Sequence, residues 1–142
     1  MKILLAVDGS KHSLAAVQSL IEHADWYRDK PTVELVTVHL PVPRLPGISK
    51  FVSKAQIRDY YQEEGEALLA KAKKMLEAAG IAYQARVLVG PVAETLVAHA
   101  KERRCDMIFV GTRGMGAAGN MLLGSTATRV LHLAGVPVLV AK

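Results

Sequence analysis

The chain has 142 residues, of which 51% are hydrophobic and 22% charged, and these proportions favour a folded domain over a disordered chain. Its single cysteine excludes an intramolecular disulfide, and its terminal apolar runs are too short for a signal peptide or a membrane span. The net charge is +5, but aromatic residues make up only 5% and do not interleave with the basic ones. We therefore expect a single cytoplasmic domain over residues 1–142, with a solvated basic surface and no nucleic-acid or membrane partner.

Short apolar runs alternate with amphipathic segments along the chain. Runs rich in β-branched residues predict strands, and apolar residues at helical spacing predict helices. In chain order, the predicted elements are a strand at 2–7, a helix at 11–26, a strand at 32–40, a helix at 54–79, a strand at 81–89, a helix at 91–103, a strand at 106–110, a helix at 122–134 and a strand at 137–141.

Local signals mark several of these boundaries. Ser10 is a good N-cap for the first helix, and Ser53-x-x-Gln56 is a capping box for the second. The second helix is expected to stop at Gly80, and Gly65 lies within its apolar stripe, where we expect close packing on the sheet. Proline at position 91 is typical of the first position of a helix.

Strict alternation of strand and helix predicts a three-layer α/β/α fold with an open, five-stranded parallel sheet, and we expect the strand order 3-2-1-4-5. In such sheets, ligands bind at the carboxyl ends of the strands, where the strand order reverses. Asp8, Leu40 and Gly111 each end a predicted strand. The three positions can therefore face one crevice.

The segment from Gly111 to Gly124 holds five glycines in fourteen positions, directly after an apolar run. Glycines let successive backbone N–H groups converge on one anion, and a following helix adds its N-terminal dipole. Ser125 and Thr126 fall where that helix begins, and their hydroxyls can donate to phosphate oxygens or cap the helix. The segment thus predicts a phosphate cradle, although ordinary connecting loops can be as rich in glycine.

Two common nucleotide motifs do not fit this segment. Gly119-x4-Gly124-Ser125-Thr126 lacks the lysine of a P-loop. Gly114-x-Gly116-x2-Gly119 matches the dinucleotide pattern, but no acidic residue follows Asp106 to bind a ribose.

A third pattern does fit, namely Gly111-x2-Gly114-x9-Gly124-Ser125. This spacing resembles the ATP-binding signature of the universal stress protein family. The opening Ile-Leu-Leu-Ala-Val-Asp-Gly-Ser at 3–10 and the ending Val-Pro-Val-Leu-Val at 136–140 are similar to the first and last strands of that family. The resemblance spans the chain and implies an adenine-nucleotide-hydrolase-like fold that binds ATP with Mg²⁺.

The resemblance also implies roles for individual residues. Asp8 would contact the adenine or ribose, and the backbone at Leu40 would contact the adenine edge. Gly111 and Gly114 would accommodate ribose and phosphates, and Gly124 with the two following hydroxyls would hold the polyphosphate. We add Arg113, a cation inside the loop. The predicted nucleotide-binding residues are Ala6, Val7, Asp8, Gly9, Ser10, Leu40, Gly111, Thr112, Arg113, Gly114, Gly116, Gly124, Ser125 and Thr126. Ala6 departs from some ATP-binding relatives, which carry proline there.

No catalytic constellation is evident in the sequence. The five histidines are scattered, no nucleophile elbow occurs, and Asp8 is the one carboxylate that we can place near the glycine segment. We therefore expect a binding protein with, at most, slow ATP hydrolysis, no catalytic residues and no metal held by side chains. Two alternatives stay open: a stress protein without nucleotide affinity, and an ATP-hydrolysing or adenylating enzyme of the related fold.

The last strand is apolar, short and contains Pro137, as an edge strand tolerates. The family resemblance implies a homodimer in which these strands pair through Val136, Pro137, Val138, Leu139 and Val140. We therefore expect a homodimer.

Overall fold

The computed structural model describes residues 1–42, 53–114 and 123–142. Strands and helices alternate along these ranges. In order they are β1 (Lys2–Ala6), α1 (Lys11–Glu22), a 3₁₀ turn (Ala24–Trp26), β2 (Thr32–His39), α2 (Lys54–Ala78), β3 (Tyr83–Val89), α3 (Val92–Glu102), β4 (Met107–Gly111), α4 (Ser125–Leu133) and β5 (Val138–Ala141).

The five strands form one parallel sheet in the order β3-β2-β1-β4-β5, which confirms the predicted topology. β1 lies at the centre, where Leu4 is paired with Glu34 of β2 on one side and Ile108 of β4 on the other. Ile3, Leu4 and Leu5 are fully buried, as a central strand covered on both faces requires.

Each face of the sheet has its own hydrophobic core. α1 and α2 pack on one face through residues such as Val17 and Leu69, together with Phe109 of β4. α3 and α4 pack on the other face through residues such as Leu96 and Val130. Helices therefore cover both sides of the sheet, and the α/β/α layering is the predicted one.

The caps at the starts of α1 and α2 are as predicted. The Ser10 hydroxyl accepts a hydrogen bond from Ser13 N at 3.1 Å, and Ser53 and Gln56 form both bonds of the capping box. The other end of α1 differs, because the helix ends at Glu22 and a 3₁₀ turn follows. In that turn Trp26 is 78% exposed, so the buried stripe of the helix does not extend to it.

Gly65 lies where α2 crosses β3. A Cβ at this position would stand 2.5 Å from Cγ2 of Val87, closer than real side chains approach. The predicted close packing of this glycine on the sheet is confirmed. The buried stripe of α2 runs through Leu69 rather than Leu68, which remains partly exposed.

A buried polar cluster lies near the amino ends of the strands. Glu34 of β2 is 2% exposed and accepts hydrogen bonds from Arg103 Nε at 3.2 Å and from the His99 ring at 3.3 Å. Cys105 lies nearby, and its burial together with the Glu34 charge raises the pKa of its thiol to about 11. The thiolate is therefore scarce at neutral pH, which agrees with an unreactive cysteine.

Candidate functional site

A cleft opens at the carboxyl ends of β1 and β4, with an empty volume of about 480 Å³. It is lined by Ala6, Val7, Asp8, Ser13, Val36, Val38, Val92, Leu96, Val110, Gly111, Arg113, Gly114 and Thr126. β1 and β4 are neighbours in the sheet but far apart in sequence, so the cleft lies where the strand order reverses.

The turn after β1 presents Asp8 to this cleft. Gly9 adopts φ +78°, a left-handed conformation that favours glycine, and Asp8 Oδ1 accepts a hydrogen bond from Ser10 N at 3.0 Å. Ser10 then caps α1. Asp8 thus forms the turn that begins the helix and also lines the cleft.

Different neighbours leave no room for a side chain at Gly111 and at Gly114. A Cβ on Gly111 would stand 2.8 Å from Ser13 N and closer still to the His12 carbonyl, because the first turn of α1 packs against the end of β4. A Cβ on Gly114 would stand 2.7 Å from Asp8 Oδ2. Gly111 therefore serves the packing of the protein, whereas Gly114 borders the carboxylate in the cleft.

The amino end of α4 lies beside the same cleft. Its N-cap is Gly124, which has no side chain to cap the helix, so neither Ser125 nor Thr126 is the N-cap. Gly124 N donates to Thr112 O at 2.7 Å, and this bond joins the helix to the end of β4. The first N–H groups of a helix have no partner within it, and here they carry the positive end of the dipole. Thr126 and the cation Arg113 line the cleft at this end.

Seven of the fourteen predicted site residues line the cleft: Ala6, Val7, Asp8, Gly111, Arg113, Gly114 and Thr126. Another five support its walls or lie next to those residues in the chain, namely Gly9, Ser10, Thr112, Gly124 and Ser125. Leu40 follows β2 as a 67% exposed residue outside the lining. Gly116 falls in 115–122, outside the described residues.

Sequence reasoning missed most of the apolar wall. Val36 and Val38 of β2, Val92 and Leu96 of α3 and Val110 of β4 line the cleft, and Ser13 completes the missed set. Val36 and Val38 lie two residues apart on β2 and therefore share one face of the sheet. α3 follows β3, so its first turn lies at the carboxyl edge of the sheet, and Pro91 is its N-cap rather than its first residue.

His39 lies on the other face of the sheet, against α2. Its ring centroid is 5.6 Å from that of Tyr61, and among the residues that the structure describes its buried Nε2 has no hydrogen-bond partner. Val36 and Val38 instead line the cleft, and they pack with α3 and α4 on the opposite face of the sheet. The ring therefore faces the α2 layer.

Within the described parts of the chain, no three side chains of His, Cys, Asp or Glu are grouped to hold a metal ion. In residues 1–42, 53–114 and 123–142, no helix has both the length and the apolar character needed to cross a membrane. The described residues that line the cleft give it an apolar wall, the carboxylate of Asp8 and a cationic end at Arg113.

This geometry defines an open α/β protein with a cleft at the switch point of its sheet. Residues 1–142 match the family model described as "Universal stress protein family". The chain belongs to the universal stress protein family.

Individual relatives agree with this assignment. Universal stress protein MJ0531 of Methanocaldococcus jannaschii is 34% identical over 141 residues, covering 99% of this chain and 81% of the relative. The solved structure of hypothetical protein MJ0577 is similar with a TM-score of 0.81 at 27% identity, over 99% of this chain and 94% of the other. A universal stress protein solved in complex with cAMP is similar with a TM-score of 0.67 at 26% identity, over 100% and 96%.

Proposed function

We propose that residues 1–142 form one universal stress protein domain that binds ATP with Mg²⁺ in the cleft between β1 and β4. In this proposal the protein is a cytoplasmic, nucleotide-dependent module of a stress response. The observation that carries the proposal is a single cleft that joins an apolar wall to a cationic, glycine-bordered helix terminus. A nucleotide combines a flat base, which matches the apolar wall, with a polyanion, which matches the cationic helix terminus.

The apolar half supports binding of the base. Val36, Val38, Val92 and Leu96 line this part of the cleft, and burial of apolar surface there favours an aromatic ring. Asp8 lines the cleft beside them, and its carboxylate can accept hydrogen bonds from ribose hydroxyls or from the exocyclic amine of adenine. The side chain of Leu40 is exposed, so we propose that the backbone of Leu40, rather than its side chain, contacts the adenine edge.

The other half supports binding of phosphate. Arg113 supplies a positive charge, and Gly114 leaves room for an oxygen next to the backbone. The first N–H groups of α4, which have no partner within the helix, and the hydroxyls of Ser125 and Thr126 are further donors. We retain Gly116 as part of the phosphate loop on the sequence pattern alone. Mg²⁺ would be held by phosphate oxygens and water, so it needs no cage of protein ligands.

The complex of a related stress protein with cAMP supports an adenine nucleotide as the ligand class. The residues that line the cleft include one carboxylate, Asp8, and this group already accepts a hydrogen bond from Ser10 N. A second acid that would orient a water molecule for attack is missing from this lining. We therefore propose binding, with hydrolysis slow at most, over catalysis.

Calorimetric titration with ATP and Mg²⁺ tests the proposal. We expect saturable binding of one ATP per chain, competition by ADP and AMP, and weaker competition by GTP. Absence of binding at millimolar ATP, checked by equilibrium dialysis, would favour a stress protein without nucleotide affinity. Release of phosphate or pyrophosphate at many turnovers per second would favour an enzyme.

We also propose a homodimer that pairs the exposed edge of β5 through Val136, Pro137, Val138, Leu139 and Val140. β5 is an edge strand of the sheet, and unpaired strand edges favour pairing with another strand. α4 packs beside it and leaves Leu131 and Leu133 exposed by 42% and 37%. Light scattering at micromolar concentration is expected to give twice the mass of one chain, and a particle of one chain would contradict the dimer.

A further inference from the structure

Thr112 connects three elements at the start of the glycine loop. Its N–H donates to Ala141 O of β5 at 2.9 Å, and its carbonyl accepts from Gly124 N of α4 at 2.7 Å. Its hydroxyl and His12 Nδ1 of α1 lie 3.4 Å apart in a hydrogen bond. Thr112 is not among the residues that line the cleft, although Gly111, Arg113 and Gly114 beside it are. All of its polar groups are thus engaged with the protein.

The first turn of α1 contacts each residue of this short segment in succession. The His12 carbonyl packs on Gly111, the His12 ring meets the Thr112 hydroxyl, and Ser10 Oγ donates to Arg113 O at 3.5 Å. The turn itself is held by the Ser10 cap. It therefore provides a fixed surface against which residues 111–113 lie.

We propose that His12 is a positioning residue for the candidate nucleotide site, acting through Thr112. With the ring proton on Nε2, His12 Nδ1 accepts a hydrogen bond from the Thr112 hydroxyl, and this bond fixes the end of β4 against α1. The Thr112 carbonyl in turn fixes Gly124, and with it the amino end of α4. The direction of the phosphate-binding N–H groups then depends on a histidine that does not touch the ligand. This inference rests on the proposed function.

Nucleotide affinity in single and double variants tests the coupling. His12→Ala and Thr112→Val are each expected to weaken ATP binding about three- to tenfold, the effect of one lost hydrogen bond. The double variant is expected to bind no more weakly than the worse single variant, since both remove the same bond. His12→Asn and Thr112→Ser keep a hydrogen-bonding group in place and are expected to restore most of the affinity.

His132→Ala is the matched control, because this exposed histidine bonds Thr128 O within its own helix. It is expected to leave ATP affinity unchanged, and all variants are expected to melt close to the parent. Additive losses in the double variant, unchanged affinity in His12→Ala, or no recovery in the conservative variants would overturn the proposal. Thr112→Val, which removes the same hydrogen bond from the other side, keeps the test valid if His12→Ala does not fold.

Amide hydrogen exchange at Gly124 separates this inference from the proposed function. In protein without ligand, His12→Ala is expected to speed exchange of the Gly124 amide, which donates to Thr112 O. Unchanged exchange would overturn the role of His12. If the parent protein binds no adenine nucleotide, the proposed function fails, and the exchange result still decides whether His12 positions α4.

Discussion

Gly114→Val is expected to weaken ATP binding by at least about tenfold, equivalent to about 1.4 kcal/mol, while the protein stays folded. The new Cβ would stand 2.7 Å from Asp8 Oδ2, so the carboxylate must move, and the valine methyl groups would enter the cleft. The obstacle is a side chain rather than backbone, so the fold can adjust. Calorimetry gives the affinity, and circular dichroism during thermal melting checks the fold.

Gly135→Val is the matched control for this variant. A Cβ at Gly135 would have nothing within 4 Å, and the residue lies between α4 and β5 rather than in the cleft. We expect parental affinity from the control. If Gly114→Val retained ATP as tightly as Gly135→Val does, the position of the phosphates in the cleft would be wrong.

Gly111→Ala is expected to have the opposite outcome, a loss of stability. The added Cβ would overlap the backbone of His12 and Ser13, which cannot move without shifting the first turn of α1. Overpacking of this kind costs about 1–3 kcal/mol, and we expect the upper part of this range. For a chain of this length, the melting temperature should fall by about 3 °C for each kcal/mol lost.

Gly135→Ala isolates the effect of the added methyl group in that experiment. Because its Cβ meets open space, we expect its melting temperature to lie within about 2 °C of the parent. Equal melting temperatures for Gly111→Ala and Gly135→Ala would contradict the close packing of α1 on β4. Gly124→Val is less informative than either, because its Cβ would be 3.3 Å from Arg113 Cα and only mildly crowded.

The sequence predicted the fold well because its local and periodic signals agree. The apolar run of β1 is buried on both faces, and the Ser10 and Ser53 caps begin their helices as expected. Element ends were less predictable. The helix predicted over 11–26 ends at Glu22, and the last helix begins at Ser125 rather than at 122. Capping geometry and side-chain burial set these ends, and apolar spacing does not encode them.

The candidate site was predicted on its polar side and missed on its apolar side. Asp8, Gly114 and Thr126 follow from glycine spacing and strand ends. Val36 of β2 does not, because a strand buried on both faces gives no sign of which face borders a cleft. Leu96 of α3 does not either, because the apolar stripe of a helix gives no sign of which of its residues reach the end of the sheet. The sequence also did not distinguish Gly111, which packs on α1, from Gly114, which borders the carboxylate.

An NMR titration of the ¹⁵N-labelled protein with ATP and Mg²⁺ tests the central claim most directly, since it reports binding and location together. Saturable shifts are predicted for the amides of Asp8, Gly111, Gly114, Ser125 and Thr126, at the carboxyl ends of the strands. Amides at the opposite edge, such as Thr32 and Gln84, should stay unchanged. No saturable shift at millimolar ATP, or shifts confined to that opposite edge, would contradict nucleotide binding in this cleft.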